Sequence, residues 1–298
     1  MDTGFPTSDA QTDFKRARRG ALASKLARRL RGEPGDVNLI LPFDEVVDAL
    51  GRRGERRVGL EMIALDSIVG TVDRQREFDR NFRPTSRRVR LRWQRIAEAI
   101  RRGESMPPID VYRIGEMHFV RDGHHRVSVA RQLGLDTIEA QVTEIQTEVG
   151  ADAAVRIHDL ALKSHERLFF ERVPLPAEMR LRIQLPRGAW YAGLAEGVEA
   201  WGFRVMQARG EFMDRSETAR AWFREEFDPV VSMLREAELG EGMTDAELYS
   251  RVVNLRYLLL RTHGWDEEIL ERLREELRTK PAREQDTLTH QMRGGLSA

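Results

Sequence analysis

Residues 111–134, VYRIGEMHFVRDGHHRVSVARQLG, constrain this chain more than any other stretch, because they demand two strands and a helix joined by a junction too short to wander. Residues 111–114 and 117–121 read as short strands joined at Gly115-Glu116. Residues 127–133 read as a helix that Gly134 ends, since glycine takes the left-handed conformation common just past a helix C-terminus. Between strand and helix stand Asp122, Gly123, His124, His125 and Arg126: a carboxylate, a flexible residue, two imidazoles and a guanidinium in consecutive positions.

A helix N-terminus offers unpaired N–H groups and a partial positive charge, which suit a phosphate. Gly123 lets backbone approach a ligand closely, and Arg126 can clamp two phosphate oxygens with its planar fork. Asp122 is placed to hold Mg²⁺ or to accept a proton, and His124 and His125 to donate hydrogen bonds to developing charge. The plainer alternative is a polar turn in which Asp122 caps the helix and the histidines are solvated.

The pieces around this junction give the chain a resemblance. From GLEMIALDSIV through DRQREFD, a helix, MPPIDVYRIG, FVRDGHHRVSVARQLG and TIEAQVTEI, residues 60–144 resemble the ParB/sulfiredoxin-like domain in order and spacing. The resemblance implies an α+β fold, with a mixed domain followed by a mainly helical C-terminal region. Sulfiredoxins carry cysteine where His124 stands, and the absence of cysteine here excludes thiol chemistry. Partition proteins of the family carry a Gly-Glu-Arg-Arg-like segment that binds the triphosphate of CTP; Gly123 and Arg126 keep its ends. Free-serine kinases of the same superfamily carry Asp-Gly-Thr-His-Arg, matched at Asp122, Gly123, His125 and Arg126. The resemblance therefore implies a nucleotide ligand (ATP, ADP or CTP, with Mg²⁺) and admits phosphoryl transfer. Asp122, His125 and Asp73 are the catalytic candidates. Gly123, His124, His125, Arg126 and Arg74 are the phosphate-binding ones, with Asp122 as the Mg²⁺ ligand. Asp73 or Glu77 would replace the glutamate base that the kinases carry near the end of their first strand.

The rest of the chain divides into a flexible basic N-terminal arm or helix (1–36), the nucleotide-binding domain (37–148), an α-rich region with two strands (149–279) and a disordered tail (280–298). Residues 1–12 read as disordered and 14–31 as a basic helix with Leu22, Leu26 and Leu30 at fourfold spacing, either docked on its own domain or mobile. A strand at 37–41, a helix at 43–50 closed by Gly51, a turn at 52–57 and the domain's opening strand at 61–65 follow. Val89, Trp93, Ile96 and Ile100 mark a helix over 87–101 whose basic face carries Arg88, Arg92 and Arg95. Beyond residue 144, 151–164 reads as helix, 168–173 and 179–185 as strands, and the stripes led by Trp190 and Trp222 as core helices. Thr244 caps another helix, and Asp266 a last one over 267–278.

Charge narrows the partners. Residues 1–105 hold 23 Lys and Arg against 16 Asp and Glu, leaving 26 against 33 for the remainder, so a basic front precedes an acidic back. That asymmetry suits nucleic acid at the front, or attraction between the two parts. No apolar run is long enough to span a bilayer and no signal region opens the chain, so a cytoplasmic protein without a membrane partner is expected. Walker, Rossmann and nucleophile-elbow motifs are missing, as are a zinc-ligand pattern and a helix-turn-helix after the domain. Two functions remain. One is phosphoryl transfer, to a small-molecule acceptor or to water; the alternative is a nucleotide-gated, DNA-associated partition-like or regulatory protein without strong catalysis. A homodimer is compatible with either.

Overall fold

The computed structural model describes residues 4–32 and 39–259, with side chains to residue 254. The first two positions of the strand expected at 37–41, the helix at 267–278 and the tail from Lys280 lie outside the described residues. The chain divides into two compact units, residues 1–167 and 168–298.

The first unit is built on a six-stranded sheet in the order β1-β3-β5-β4-β6-β2. Its strands are β1 (Leu41–Pro42), β2 (Arg52–Ala64), β3 (Ile68–Thr71), β4 (Ile109–Ile114), β5 (Met117–Asp122) and β6 (Thr137–Thr147). The expected hairpin is β4 and β5, paired antiparallel from Ile114 opposite Met117 to Val111 opposite Val120. Parallel pairs flank it, β3 beside β5 and β6 beside β4, so the hairpin sits at the centre of a mixed sheet. Residues expected as the turn 52–57 instead extend the opening strand into one thirteen-residue β2, antiparallel to β6. Opposite-charge pairs favour this, for Arg56 Nη2 reaches the Glu144 carboxylate oxygen Oε2 at 2.7 Å across the two strands.

One face of the sheet is closed by an apolar cluster that includes Ile63, Ile68, Phe82, Val111, Val120, Val127 and Val142. Over it lies α4 (His124–Gln132), whose Val127 and Ala130 belong to the cluster, and α3 (Arg90–Arg101) packs on α4 through Trp93, Ala97 and Val129. On the Tyr112–Phe119 side, α2 (Phe43–Leu50) stacks Phe43 on Tyr112 with ring centroids 4.6 Å apart.

The N-terminus differs from expectation. Helix α1 begins at Pro6, a residue suited to a first helical turn, and runs to Leu30, so residues 6–12 are helical. Ala10, Phe14, Ala17 and Ala21 make its buried face, and Phe14 meets Trp93 of α3 edge-on at 5.5 Å. Arg101 of α3 bonds Asp13 at 2.6 Å, and Thr7 donates to Glu98 at 2.6 Å, tying the two helices together. The leucine stripe singled out from the sequence is not the docking face: Leu22, Leu26 and Leu30 are exposed.

Beyond β6 the chain is mainly helical, again with corrections. Residues 151–156 of the helix expected over 151–164 are loop and turn; a short 3₁₀ turn, Ile157–Asp159, then leads into α5 (Leu160–Arg172). Both strands expected at 168–173 and 179–185 are absent: the first lies almost wholly in α5, and the second holds the end of α6 (Ala177–Arg180) followed by turn and coil. Pro176 initiates α6, and Met179 and Ile183 are buried one helical turn apart, so the alternation in MRLRIQL fills a core without a strand partner. In the second unit come α7 (Gly188–Arg209), α8 (Arg215–Trp222), a π-helical turn at Phe223–Phe227, α9 (Asp228–Glu236) and α10 (Asp245–Leu259). Pro229 has no N–H to give a carbonyl one turn back, which accounts for the widened turn preceding it. Trp222, Phe227 and Tyr249 close that core with ring centroids 5.2 to 5.7 Å apart.

Candidate functional site

The junction after β5 is tighter than the sequence implies. The helix starts at His124 rather than at Val127, with Gly123 as its N-cap in the left-handed region at φ 100°. An added Cβ there would lie 2.5 Å from Ile109 Cγ2, so only glycine lets the strand turn directly into the helix at this place. No side chain caps α4. Its first internal bond is Val127 N to Gly123 O at 3.0 Å, which leaves the amides of His124, His125 and Arg126 ahead of the helical ladder.

Over this helix start lies a small cleft of about 20 Å³, lined by Arg74, Arg92, Ile96, Asp122, Gly123, His124, His125 and Arg126. The fold thus brings together Arg74, from the loop after β3, with the whole Asp122–Arg126 string. Asp73 does not line the cleft; its amide and carbonyl turn about Thr71 Oγ1 instead. Of the basic face of α3, Arg92 lines it and Arg88 and Arg95 do not.

Each polar group has a distinct state. Arg126 is turned inward: Nη2 donates to Asp122 Oδ2 at 2.6 Å, and Nη1 donates to the carbonyls of Pro107 and Pro108. Its fork, expected to clamp phosphate, is therefore taken by the protein's own oxygens, and Asp122 is neutralised by an ion pair. Arg74 pairs with Glu77 at 2.9 Å and sits at φ 52°, a conformation uncommon for any residue but glycine. Arg92 is exposed and has no ion-pair partner among the described residues. It is the one guanidinium lining the cleft with that freedom, and the sequence offered it only as one of three arginines on a helix face.

The histidines are buried rather than solvated. His124 Nε2 is 2.6 Å from Thr71 Oγ1, a partner 53 positions upstream that no local pattern could point to. Phe78 stacks on the His124 ring and meets His125 edge-on. Burial, reinforced by Arg74 and His125, pushes the His124 pKa down to about 4. Burial, with Arg92 and Arg74, lowers that of His125 also to about 4. Both are neutral at pH 7. Nδ1 of His125 is buried without a hydrogen-bond partner.

A helix N-terminus and the Arg92 guanidinium, unpaired among the described residues, face this cleft, groups of the kind that attract anions. Residues 77–156 match the ParB N-terminal domain. The matched stretch of this ParB-like domain runs from the loop before α3 to just past β6 and so contains α4 and the Asp122–Arg126 string, while β2, β3 and Arg74 lie ahead of it. No curated protein matches the chain. Among solved structures, sulfiredoxin from Arabidopsis thaliana is similar at 24% identity over 28% of this chain and 82% of its own, with a TM-score of 0.21. The groups lining the cleft are mostly cationic or hydrogen-bond donating. A protein-held Mg²⁺ fits poorly: Asp122 is the lone carboxylate lining it and is ion-paired, and no group of three or more His, Cys, Asp or Glu among the described residues is placed to hold a metal.

Proposed function

We propose that this protein is a nucleotide-binding regulator of the DNA-associated, partition-like kind, which holds phosphate at the start of α4 without transferring it. The observation that carries the reading is the Asp122–Arg126 ion pair beside uncapped helix amides: the cleft keeps anion-binding groups while its one carboxylate is neutralised. A general base must be free to take a proton, and Asp122 is engaged with a cation at 2.6 Å. Neutral His124 and His125 can donate to phosphate oxygens through N–H groups, and Arg92 supplies charge. The match to the ParB N-terminal domain supports the same reading.

DNA association is supported by α3. Arg87, Arg88, Arg90 and Arg95 are exposed and without carboxylate partners among the described residues. Arg92 on the same helix lines the cleft, so a ligand there and a duplex on the outer face would act on one rigid element.

The test is calorimetry with ATP, ADP, CTP and GTP, with and without Mg²⁺, alongside assay of phosphate release and titration of duplex DNA at several salt concentrations. At least one nucleotide should bind without turnover, and Arg92→Ala should weaken it by about tenfold, the scale of one charge-assisted contact. DNA affinity should fall steeply with salt and change when nucleotide is added. Steady phosphate release abolished by Asp122→Asn would instead establish phosphoryl transfer.

A further inference from the structure

Helix α1 outlasts its support. Its buried residues end at Ala21, and over the remaining turns to Leu30 none is buried. At about 100° per residue, Leu22, Leu26 and Leu30 are rotated by roughly 100 to 180° from Ala21, on the side away from the docked face. They are 58%, 61% and 80% exposed, three large apolar side chains along about 12 Å of helix.

Cations surround them. Arg19, Lys25 and Arg29 fall within about 60° of this stripe by the same geometry and have no carboxylate partner among the described residues. Residues 14–31 hold eight Lys and Arg and no Asp or Glu. A second copy of this face would be repelled by like charge. A duplex would satisfy the cations and leave the leucines in water. An anionic bilayer uses both: leucines enter the acyl boundary while Arg and Lys stems lie along it with their charged ends among the headgroups.

We propose that the second half of α1 is a docking surface for anionic lipid, seating the protein on a membrane face by Leu22, Leu26 and Leu30 with Arg19, Lys25 and Arg29 as its charged rim. No described helix is long and apolar enough to cross a membrane, so the attachment is peripheral. The inference is independent of the nucleotide cleft.

Sedimentation of the full chain with vesicles tests it, comparing phosphatidylcholine alone with phosphatidylcholine containing roughly a third phosphatidylserine. Wild type should sediment with the anionic vesicles only, less so as salt is raised. The triple variant Leu22→Ser, Leu26→Ser, Leu30→Ser should lose at least about tenfold in vesicle affinity with its circular dichroism and unfolding midpoint kept, because the three positions are exposed. No sedimentation with anionic vesicles, or equal sedimentation of wild type and variant, overturns the proposal. So does capture of duplex DNA by both proteins alike when neither takes up vesicles, which would assign the surface to nucleic acid.

Discussion

The carboxylate of Asp122 and the guanidinium of Arg126 are locked together at 2.6 Å across one turn at the start of α4, with Asp122 largely in solvent and Arg126 largely covered. A phosphate entering the cleft must share Arg126 with that carboxylate and with the carbonyls of Pro107 and Pro108. Asp122 therefore opposes the binding of anions at the very place where the helix amides favour it.

Removing that negative charge is expected to help. Asp122→Asn should tighten nucleotide binding by a factor of about three to ten, the range of a partly exposed ion pair, as read by calorimetry. A Mg²⁺-dependent loss of affinity in the same variant would mean that Asp122 holds the metal.

Gly123 cannot be replaced cheaply. Gly123→Ala combines φ 100° with contacts of 2.5 and 2.9 Å to Ile109 and 3.2 Å to Arg126, and should cost about 2 to 4 kcal/mol of stability in urea unfolding. Wild-type stability in the variant would mean that the junction relaxes into another conformation.

Acid should unfold this protein through its histidines. His118, His124 and His125 have pKa values held near 4 by burial, against an ordinary value of about 6.5, so between these limits the unfolded chain binds protons that the native one refuses. The stabilisation is complete above pH 6.5 and is lost as pH falls toward 4, at up to about 1.4 kcal/mol per pH unit for each histidine. Urea midpoints measured from pH 7.5 to 4.5 should fall steeply; a flat profile, or imidazole resonances titrating near 6.5, would contradict the buried arrangement.

Trp93 joins three helices. It is fully buried, meets Phe14 of α1 and donates from Nε1 to Ser128 Oγ of α4 at 2.8 Å. Ser128→Ala leaves that indole N–H unpaired and should cost about 1 to 3 kcal/mol, whereas Trp93→Ala should cost about 3 to 5 kcal/mol. Equal losses in the two variants would show that the hydrogen bond, and not the ring, carries the packing.

Much of this fold can be read from short-range signals. Alternating apolar residues and glycine punctuation declare β4, β5 and α4 because each element is specified by its own few residues. The misreadings have a common cause: a pattern looks alike whatever lies against it. Arg52 to Arg57 resemble a turn until β6, some ninety positions later, supplies partners such as Glu144. Alanines around Phe14 make a quieter stripe than Leu22, Leu26 and Leu30, yet alanine lets α1 approach α3 closely. The candidate site divides in the same way. Asp122 to Arg126 are consecutive and visible as a cluster, whereas the partners that decide their chemistry, Thr71 for His124 and Pro107 and Pro108 for Arg126, are brought in by the sheet and the loop before β4.

The two ends of the sheet are unequal, and the inequality bears on solubility. β1 is two residues long and offers a neighbour almost no backbone to copy. β2, at the other end, is thirteen residues long, but Arg52, Arg53, Glu55, Arg56 and Arg57 stud its first half with exposed charge. A strand from another molecule adding there would have to bring those guanidinium groups into register with its own side chains, so runaway strand-upon-strand stacking is discouraged from both directions.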